Sequence, residues 1–163
     1  MSEKIESERL LLKPLSIEEM EQIQGNEQKF LQESVLSEVI KIAVTQKIER
    51  MKQVPKDVQP WLTYWLIQKK DNGQGIGLIG SKYLPDEEGY VELGYAMAKE
   101  CRCCGYMTEA LEGFLDWLYE FEFCNGARLS IRSANLPSVK VAEKCGFLFQ
   151  KTQDIYRIYQ YDF

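Results

Sequence analysis

The sequence contains no histidine, the side chain that most often serves as general base, proton shuttle or zinc ligand. Any acid–base chemistry must therefore fall to Glu, Asp, Tyr, Ser, Cys or water. The sequence also lacks an apolar run near the roughly 20 residues of a membrane span, and its first ten residues, MSEKIESERL, have no apolar centre. We therefore expect a cytoplasmic protein with no membrane partner.

The chain has no excess of positive charge, since 20 Lys and Arg stand against 25 Asp and Glu for a net charge of −5. This balance excludes the broad basic surface of a duplex-binding protein, so we expect no nucleic-acid partner and only local binding of a polyanion. The five cysteines are an odd number, which favours reduced thiols. A length of 163 residues with 45% apolar residues is typical of one core, and residues 1–163 are taken as a single domain.

The order of local patterns predicts a mixed α/β domain, β–α–α–β–β–β–α–β–α–β–β. An apolar run ended by Pro14 predicts the first strand, and Ser16 with Glu19 forms a capping box that begins a short helix. A longer, mostly helical region is predicted from about residue 30 to 51. Its predicted apolar stripe consists of Val35, Val39, Ile42 and Ile48.

Clear local signals follow in the second half of the chain. Gly94, inside the strand pattern YVELGYAMA, predicts a bulge or the close approach of another chain or a ligand. Asn135, Pro137 and Gly146 mark the beginning and end of a short helix. Between these segments lies an amphipathic helix, whose apolar positions are Met107, Leu111, Phe114, Leu115 and Leu118.

The segment ECRCCGYM places three cysteines directly before this amphipathic helix. A structural zinc site needs four Cys or His ligands in spaced pairs, and no C-x-x-C occurs, so we expect no metal. Oxidation of the adjacent Cys103 and Cys104 is a second reading. The third is an anion site built from the N–H groups of the turn and the first helical turn, with Gly105 allowing close approach. Gly105 acting only as a turn residue is the plain alternative.

Four stretches resemble the GNAT superfamily of acyl-CoA-dependent N-acyltransferases. The family signature Q/R-x-x-G-x-G/A, which binds the pyrophosphate of CoA, is matched by Arg102 and Gly105, with Met107 departing from the usual Gly or Ala. The segment GYMTEAL resembles the GYATEAL of the branch that contains ribosomal-protein N-terminal (alanine) acetyltransferases. ERLLLKPL, VELGYAM and NLPSVKVAEKCGF agree in the same order along the chain. The resemblance is weakest between residues 16 and 60.

The resemblance implies a single GNAT-like domain. Its mixed, mostly antiparallel sheet has about seven strands, splays between the fourth and fifth strands, and is flanked by about four helices. The pantetheine arm of acetyl-CoA, a co-substrate, would lie in the gap beside the backbone of Met97 and Ala98, and Asn135 would cap the next helix and touch the arm. The pyrophosphate would be held by the loop, namely Arg102, Cys103, Cys104, Gly105, Tyr106, Met107 and Thr108.

The catalytic residues implied are Glu92, as a base that accepts the proton of the amine, and Ser138, as a donor to the leaving thiolate. A solvent-facing strand residue and a helix-turn serine are the structural alternatives. Many GNAT members carry a tyrosine seven residues after the capping Asn, and here that residue is Ala142.

The function implied is acetyl transfer from acetyl-CoA to a primary amine, either a protein N-terminus or a small-molecule amine, by direct transfer in a ternary complex. A non-catalytic acyl-CoA-binding or regulatory module is the first alternative, and a metal or redox protein built on the cysteines is the second. The acceptor pocket would lie between the region of residues 16–60 and the last hairpin. Whether the chain forms a homodimer is left open.

Overall fold

The computed structural model describes residues 3–163 and contains eight strands and four α-helices in this range. The strands are β1 (Ile5–Glu6), β2 (Leu10–Pro14), β3 (Trp65–Lys69), β4 (Gly75–Ser81), β5 (Tyr90–Met97), β6 (Gly126–Arg132), β7 (Leu148–Gln153) and β8 (Tyr156–Asp162). The helices are α1 (Ile17–Gln24), α2 (Glu38–Met51), α3 (Tyr106–Tyr119) and α4 (Leu136–Lys144). None of the helices in residues 3–163 is long and apolar enough to cross a membrane.

The strands form one sheet in the order β1-β2-β3-β4-β5-β6-β8-β7. All neighbouring strands are antiparallel except β5 and β6, which are parallel and are joined by a crossover through α3. The mixed, mostly antiparallel sheet is therefore confirmed. It has eight strands rather than about seven, because a two-residue strand pairs with β2 ahead of the first expected one. The expected fourth and fifth strands are β5 and β6.

The start of α1 follows the predicted capping box. The Ser16 side chain accepts a hydrogen bond from the Glu19 N–H, and the Glu19 side chain accepts one from the Ser16 N–H. The buried stripe predicted for the next helical region is wrong in part, because Val39 is 75% exposed and Ile42 is 57% exposed. The helix begins only at Glu38, after a separate 3₁₀ turn, so a stripe drawn through both turns has the wrong phase. The residues that α2 buries are Ile40, Val44, Lys47, Ile48 and Met51.

Helix α3 packs on the face of the sheet that carries Trp65. The ring of Trp65 lies 5.5 Å from that of Phe114 and 4.9 Å from that of Trp117, measured between centroids. The predicted apolar stripe of α3 is buried throughout. Strand β4 is buried along its whole length, so both faces of the sheet are covered there. Helix α3 packs on one face, and α2 contacts the sheet through Lys47, whose Nζ donates to the Ser81 carbonyl at the end of β4.

The pairing of β5 with β6 stops half-way along β5. Four residue pairs join these strands, the last being Leu93 with Leu129, whereas β5 continues beside β4 as far as Met97. A gap therefore opens between the two parallel strands, at the place where the resemblance implies one. Gly94 is the first residue of β5 beyond the last pair, and the β4–β5 ladder passes it without a register shift. Of the two alternatives predicted at Gly94, the bulge is wrong, and the close approach of another chain or a ligand stays a prediction.

Candidate active site

Two hydrogen bonds to β4 and its continuation fix which backbone groups of β5 face the gap. They are the bond from the Lys82 N–H to the Glu92 carbonyl and the bond from the Ala98 N–H to the Ile76 carbonyl, each 2.8 Å long. Bonded and non-bonded pairs alternate along an antiparallel ladder, so Tyr95 and Met97 direct their N–H and C=O groups away from β4. Past Leu93 these groups have no strand beside them and face the gap.

Because of this alternation, the backbone groups of Met97 and Ala98, the two positions named from the sequence, point to opposite sides of β5. The Met97 N–H points into the gap, because no β6 residue pairs with this part of β5. The Ala98 N–H donates to the Ile76 carbonyl, so it is not available to a ligand in the gap. Tyr95, which the sequence reasoning did not name, contributes the neighbouring gap-facing N–H.

The gap leads to the loop before α3, where the backbone turns twice through the left-handed region. Cys103 has φ +64° and Gly105 has φ +80°. The first N–H of the helix with a backbone acceptor belongs to Glu109, which donates to the Gly105 carbonyl at 3.1 Å. Among residues 3–163, the N–H groups of residues 105–108, at the start of the helix, donate no hydrogen bond to a backbone acceptor. Such a cluster of free N–H groups at a helix N-terminus favours an anion.

Met107, where the family signature has Gly or Ala, leaves this loop open. Its side chain is 8% exposed and belongs to the hydrophobic core, so it points away from the free N–H groups. Thr108 also faces inward in part, and its carbonyl accepts a hydrogen bond from the Cys145 thiol at 3.5 Å. The departure at Met107 therefore places no bulk over the loop.

Positive charge at the loop comes from residues both near and far in the sequence. Arg102 and Lys99 are exposed, and the Arg102 Nε donates to the Met97 carbonyl at 3.4 Å. Arg9, 95 residues before Cys104, donates from Nη1 to the Cys104 carbonyl at 3.0 Å and stacks 4.4 Å from the centroid of the Tyr106 ring.

Arg9 is held in place by Glu109 in the first turn of α3. The Arg9 Nε and the Arg9 N–H donate to the two oxygens of the Glu109 carboxylate at 2.7 and 2.8 Å, and the Ser7 hydroxyl donates to it as well. Burial alone would raise the pKa of Glu109, but the hydrogen bonds from Ser7 and Arg9 outweigh it and hold this pKa below its ordinary value. The carboxylate therefore stays charged and fixes the guanidinium beside the loop.

The thiols divide into buried and exposed groups. Cys101, Cys124 and Cys145 are buried, and burial raises the pKa of each, that of Cys145 to about 12. Cys145 therefore remains a thiol at neutral pH, a poor acyl acceptor. Cys103 and Cys104 are exposed in the loop. Within the described residues, no three His, Cys, Asp or Glu side chains lie close enough together to hold a metal ion.

The first turn of α4 lies at the gap. Asn135 caps the helix as predicted, its Oδ1 accepting from the Ser138 N–H at 3.3 Å. The Tyr95 hydroxyl donates to the Ser138 carbonyl at 3.3 Å, joining β5 to α4. Ala142, one turn further along the helix, is fully buried. The structure thus brings Ser138, Asn135 and the open part of β5 together.

Glu92 lies on the opposite face of the sheet from Tyr95. Its carboxylate forms an ion pair with Lys82, with Nζ and Oε2 2.7 Å apart, and its side chain is 39% exposed. Lys82 reaches across the space beside Gly94, where an added Cβ would lie 3.4 Å from the Lys82 Cε. Glu92 and Ser138 therefore approach the gap from different faces rather than forming one cluster.

Comparison with known proteins agrees with this arrangement. Residues 9–148 match the model of the acetyltransferase (GNAT) domain. The chain belongs to the GNAT acetyltransferase family. A curated relative of this GNAT chain is the Bacillus subtilis (strain 168) protein named Uncharacterized N-acetyltransferase YjdG, 34% identical over 97 residues. The match covers 60% of this chain and 58% of the length of that relative.

Solved structures share the fold at low sequence identity. A putative ribosomal-protein-serine acetyltransferase from Vibrio cholerae superposes with a TM-score of 0.71 at 16% identity, covering 99% of each chain. The microcin C7 self-immunity acetyltransferase MccE, solved in complex with acetyl-CoA and AMP, superposes with a TM-score of 0.67 at 16% identity, covering 96% of this chain and 94% of its own. These likenesses establish the GNAT fold for this chain.

Proposed function

We propose that this chain is an acetyl-CoA-dependent N-acetyltransferase that acts as one domain over residues 1–163. The observation that carries the proposal is the gap between β5 and β6, which opens directly onto a loop and helix start whose N–H groups at residues 105–108 have no backbone acceptor. An extended arm ending in a pyrophosphate matches both parts, since strand-like backbone groups line the gap and an anion site ends it. MccE, which shares the fold, binds acetyl-CoA in its solved complex.

Positive charge supports the binding of CoA by a net-acidic chain. Arg9 and Arg102 lie at the loop, and the N-terminus of α3 adds its dipole. In the proposed complex the N–H groups of residues 103–108 hold the pyrophosphate, and the Met97 N–H stabilises negative charge on the thioester oxygen. At Cys103 and Cys104 the backbone, rather than the thiol, contacts the pyrophosphate in this complex.

In the proposed reaction a primary amine, of a protein N-terminus or a small molecule, attacks the thioester directly in a ternary complex. Glu92 takes the amine proton, directly or through water, once its bond to Lys82 loosens. The Ser138 hydroxyl donates to the sulfur that leaves. Direct transfer is favoured over a route through an acylated Cys145, because burial raises the pKa of this thiol to about 12.

Two observations favour a second candidate, a regulatory module that binds acyl-CoA without turnover. Glu92 is already paired with Lys82, and Ala142 lacks the hydroxyl that many family members carry at that position. This candidate predicts the same cofactor loop and the same gap. It predicts no acetylated product with any amine.

The first experiment is a thermal-shift measurement with acetyl-CoA, followed by a panel of amines and peptide N-termini read by mass spectrometry. Ligand at 100 times its dissociation constant adds about 2.7 kcal/mol of stability. No shift would contradict cofactor binding, and a shift without any product would favour the regulatory module. Mass detection is needed because the exposed Cys103 and Cys104 would consume a thiol reagent.

The role of Glu92 is tested by Glu92→Gln, with Glu87→Gln on the exposed loop before β5 as the matched control. We expect the first change to lower kcat about 100-fold, in the range of general-base catalysis, and to leave acetyl-CoA binding unchanged. Glu87→Gln should leave kcat unchanged. Full turnover by Glu92→Gln would remove Glu92 from the mechanism.

A further inference from the structure

Tyr95 links the two sides of the gap. It lies two residues beyond the last β5–β6 pair, and its hydroxyl donates to the carbonyl of Ser138 in the first turn of α4. Helix α4 follows β6 in the chain, so this bond joins the open segment of β5 to the element that continues from the other strand of the gap.

The side chain of Tyr95 lies on the face covered by α3. Tyr95 pairs with Ile79, and Ile79 pairs with Trp65, so all three side chains lie on the face where Trp65 meets α3. The ring packs against the hydrophobic core, which fixes its position. Burial raises the pKa of Tyr95 far above its ordinary value, so the hydroxyl keeps its proton and its ability to donate.

Both backbone groups of Ser138 are held by side chains. Asn135 accepts from the Ser138 N–H at 3.3 Å, and Tyr95 donates to its carbonyl at 3.3 Å. The Tyr95 proton is committed to this carbonyl, which argues against Tyr95 as the donor to sulfur. Ala142, on the same side of the helix, has no group that could make such a link across the gap.

We propose that Tyr95 is a positioning residue that fixes the first turn of α4, and with it Ser138, against the open segment of β5. This inference rests on the proposed function. In the transfer, the amine nitrogen bonds to the thioester carbon, and the carbon–sulfur bond breaks with its electron pair on sulfur. The Ser138 hydroxyl hydrogen-bonds the thiolate, which then takes a proton from solvent. Tyr95 exchanges no proton and acts by holding Ser138 in place.

The test begins with Tyr95→Phe, which removes the hydroxyl and keeps the ring. We expect kcat to fall about 10-fold, as a small displacement of a reacting group does, while KM for acetyl-CoA changes less than about 2-fold. The control is Tyr90→Phe on the same strand, whose hydroxyl donates to Asp162 at 2.5 Å beside the closed part of the β5–β6 pairing. The control should keep the wild-type kcat.

The coupling of Tyr95 to Ser138 is measured with a double-mutant cycle. In a Ser138→Ala background, Tyr95→Phe should change kcat less than about 2-fold, because the group it positions is gone. Equal effects in both backgrounds would overturn the proposal, as would an unchanged kcat in Tyr95→Phe. An unchanged kcat in Ser138→Ala, together with a loss in Tyr95→Phe, would also overturn it.

A second measurement does not depend on turnover. Hydrogen exchange at the amides of residues 138–140 should be at least about 10-fold faster in Tyr95→Phe than in the wild type, whereas exchange within α3 should be unchanged. Equal exchange at residues 138–140 would overturn the proposal. A wild type that acetylates no amine would contradict the proposed function alone, because hydrogen exchange would still test whether the Tyr95 hydroxyl holds the first turn of α4.

Discussion

At the scale of single residues, Lys47 shows how the chain buries a cation without an acid. Its side chain is 3% exposed, and its Nζ donates to the carbonyls of Ser81 at 2.8 Å and Leu62 at 3.4 Å. The ring of Tyr64 lies 4.5 Å away. Burial, with smaller effects from Arg50 and Lys82, lowers the pKa of Lys47 to about 7. A neutral amine also donates two hydrogen bonds, so both carbonyls stay satisfied when the proton leaves.

This environment predicts a pH-dependent stability. Between the folded-state pKa near 7 and the unfolded value of 10.5, the unfolded chain binds more protons, so the free energy of unfolding contributed by Lys47 rises with pH. Between pH 7.5 and 9.5, the free energy of unfolding measured by urea denaturation should rise about 2 kcal/mol less in Lys47→Met than in the wild type. The buried thiols titrate in both proteins and cancel in the difference. Lys140→Met, at an exposed site on α4, should keep the wild-type profile.

Arg9 lies far from the loop in sequence, but its contact with the loop predicts that it affects the affinity for acetyl-CoA. Arg9→Gln removes the cation and the bond to the Cys104 carbonyl, and should weaken acetyl-CoA binding about 10-fold by calorimetry. Arg9→Lys keeps the charge but loses the planar fork, and should be intermediate. The loss in Arg9→Gln should shrink in 0.5 M salt. Wild-type affinity in Arg9→Gln would show that the loop holds the phosphates without this cation.

At the scale of elements, the loop before α3 contains two left-handed residues that respond oppositely to substitution. Gly105→Ala places a Cβ at φ +80°, 3.4 Å from the Arg9 Nη2, and should cost about 1–2 kcal/mol. Cys103→Gly relieves the strain of a side chain at φ +64° and should stabilise the fold by up to about 1 kcal/mol. Denaturant unfolding under reducing conditions measures both. The same sign for both changes would contradict this account.

Elements governed by neighbouring residues were predictable from the sequence. The capping box at Ser16 and the Asn135 cap depend on contacts within a few residues, and the apolar stripe of α3 follows from the spacing of residues within one helix. All three are present. The stripe of α2 was not predictable by the same means, because its phase depends on where the helix begins. A 3₁₀ turn ends before Glu38, and tertiary packing decides that boundary.

Contacts between segments distant in sequence could not be predicted from local sequence patterns. Arg9 reaches Glu109 across 100 residues, and Tyr95 reaches Ser138 across 43. Nothing in the spacing around Arg9 distinguishes it from a solvated surface charge. The gap itself was expected only through the family resemblance, since alternation along β5 does not reveal that β6 leaves after four pairs.

At the scale of the whole molecule, the gap predicts an alternating pattern of hydrogen exchange along β5. The amides of Tyr95 and Met97 face the gap and should exchange rapidly in the free protein, whereas the Ala98 amide, bonded to Ile76 at 2.8 Å, should exchange slowly. Acetyl-CoA at 100 times its dissociation constant should slow the Met97 amide at least about 10-fold and leave the Ala98 amide little changed. Unchanged exchange at Met97 would contradict binding of the arm in the gap.

Because only four residue pairs join β5 to β6, the sheet consists of two halves, β1 to β5 and β6 to β8, that share a short seam. In the proposed complex the co-substrate lies along the open part of that seam. Proteases cleave what opens transiently, so acetyl-CoA bound along this seam would slow cleavage, and the protein would survive longer in a cell rich in acetyl-CoA than in one depleted of it. Its abundance would then follow the supply of its own substrate.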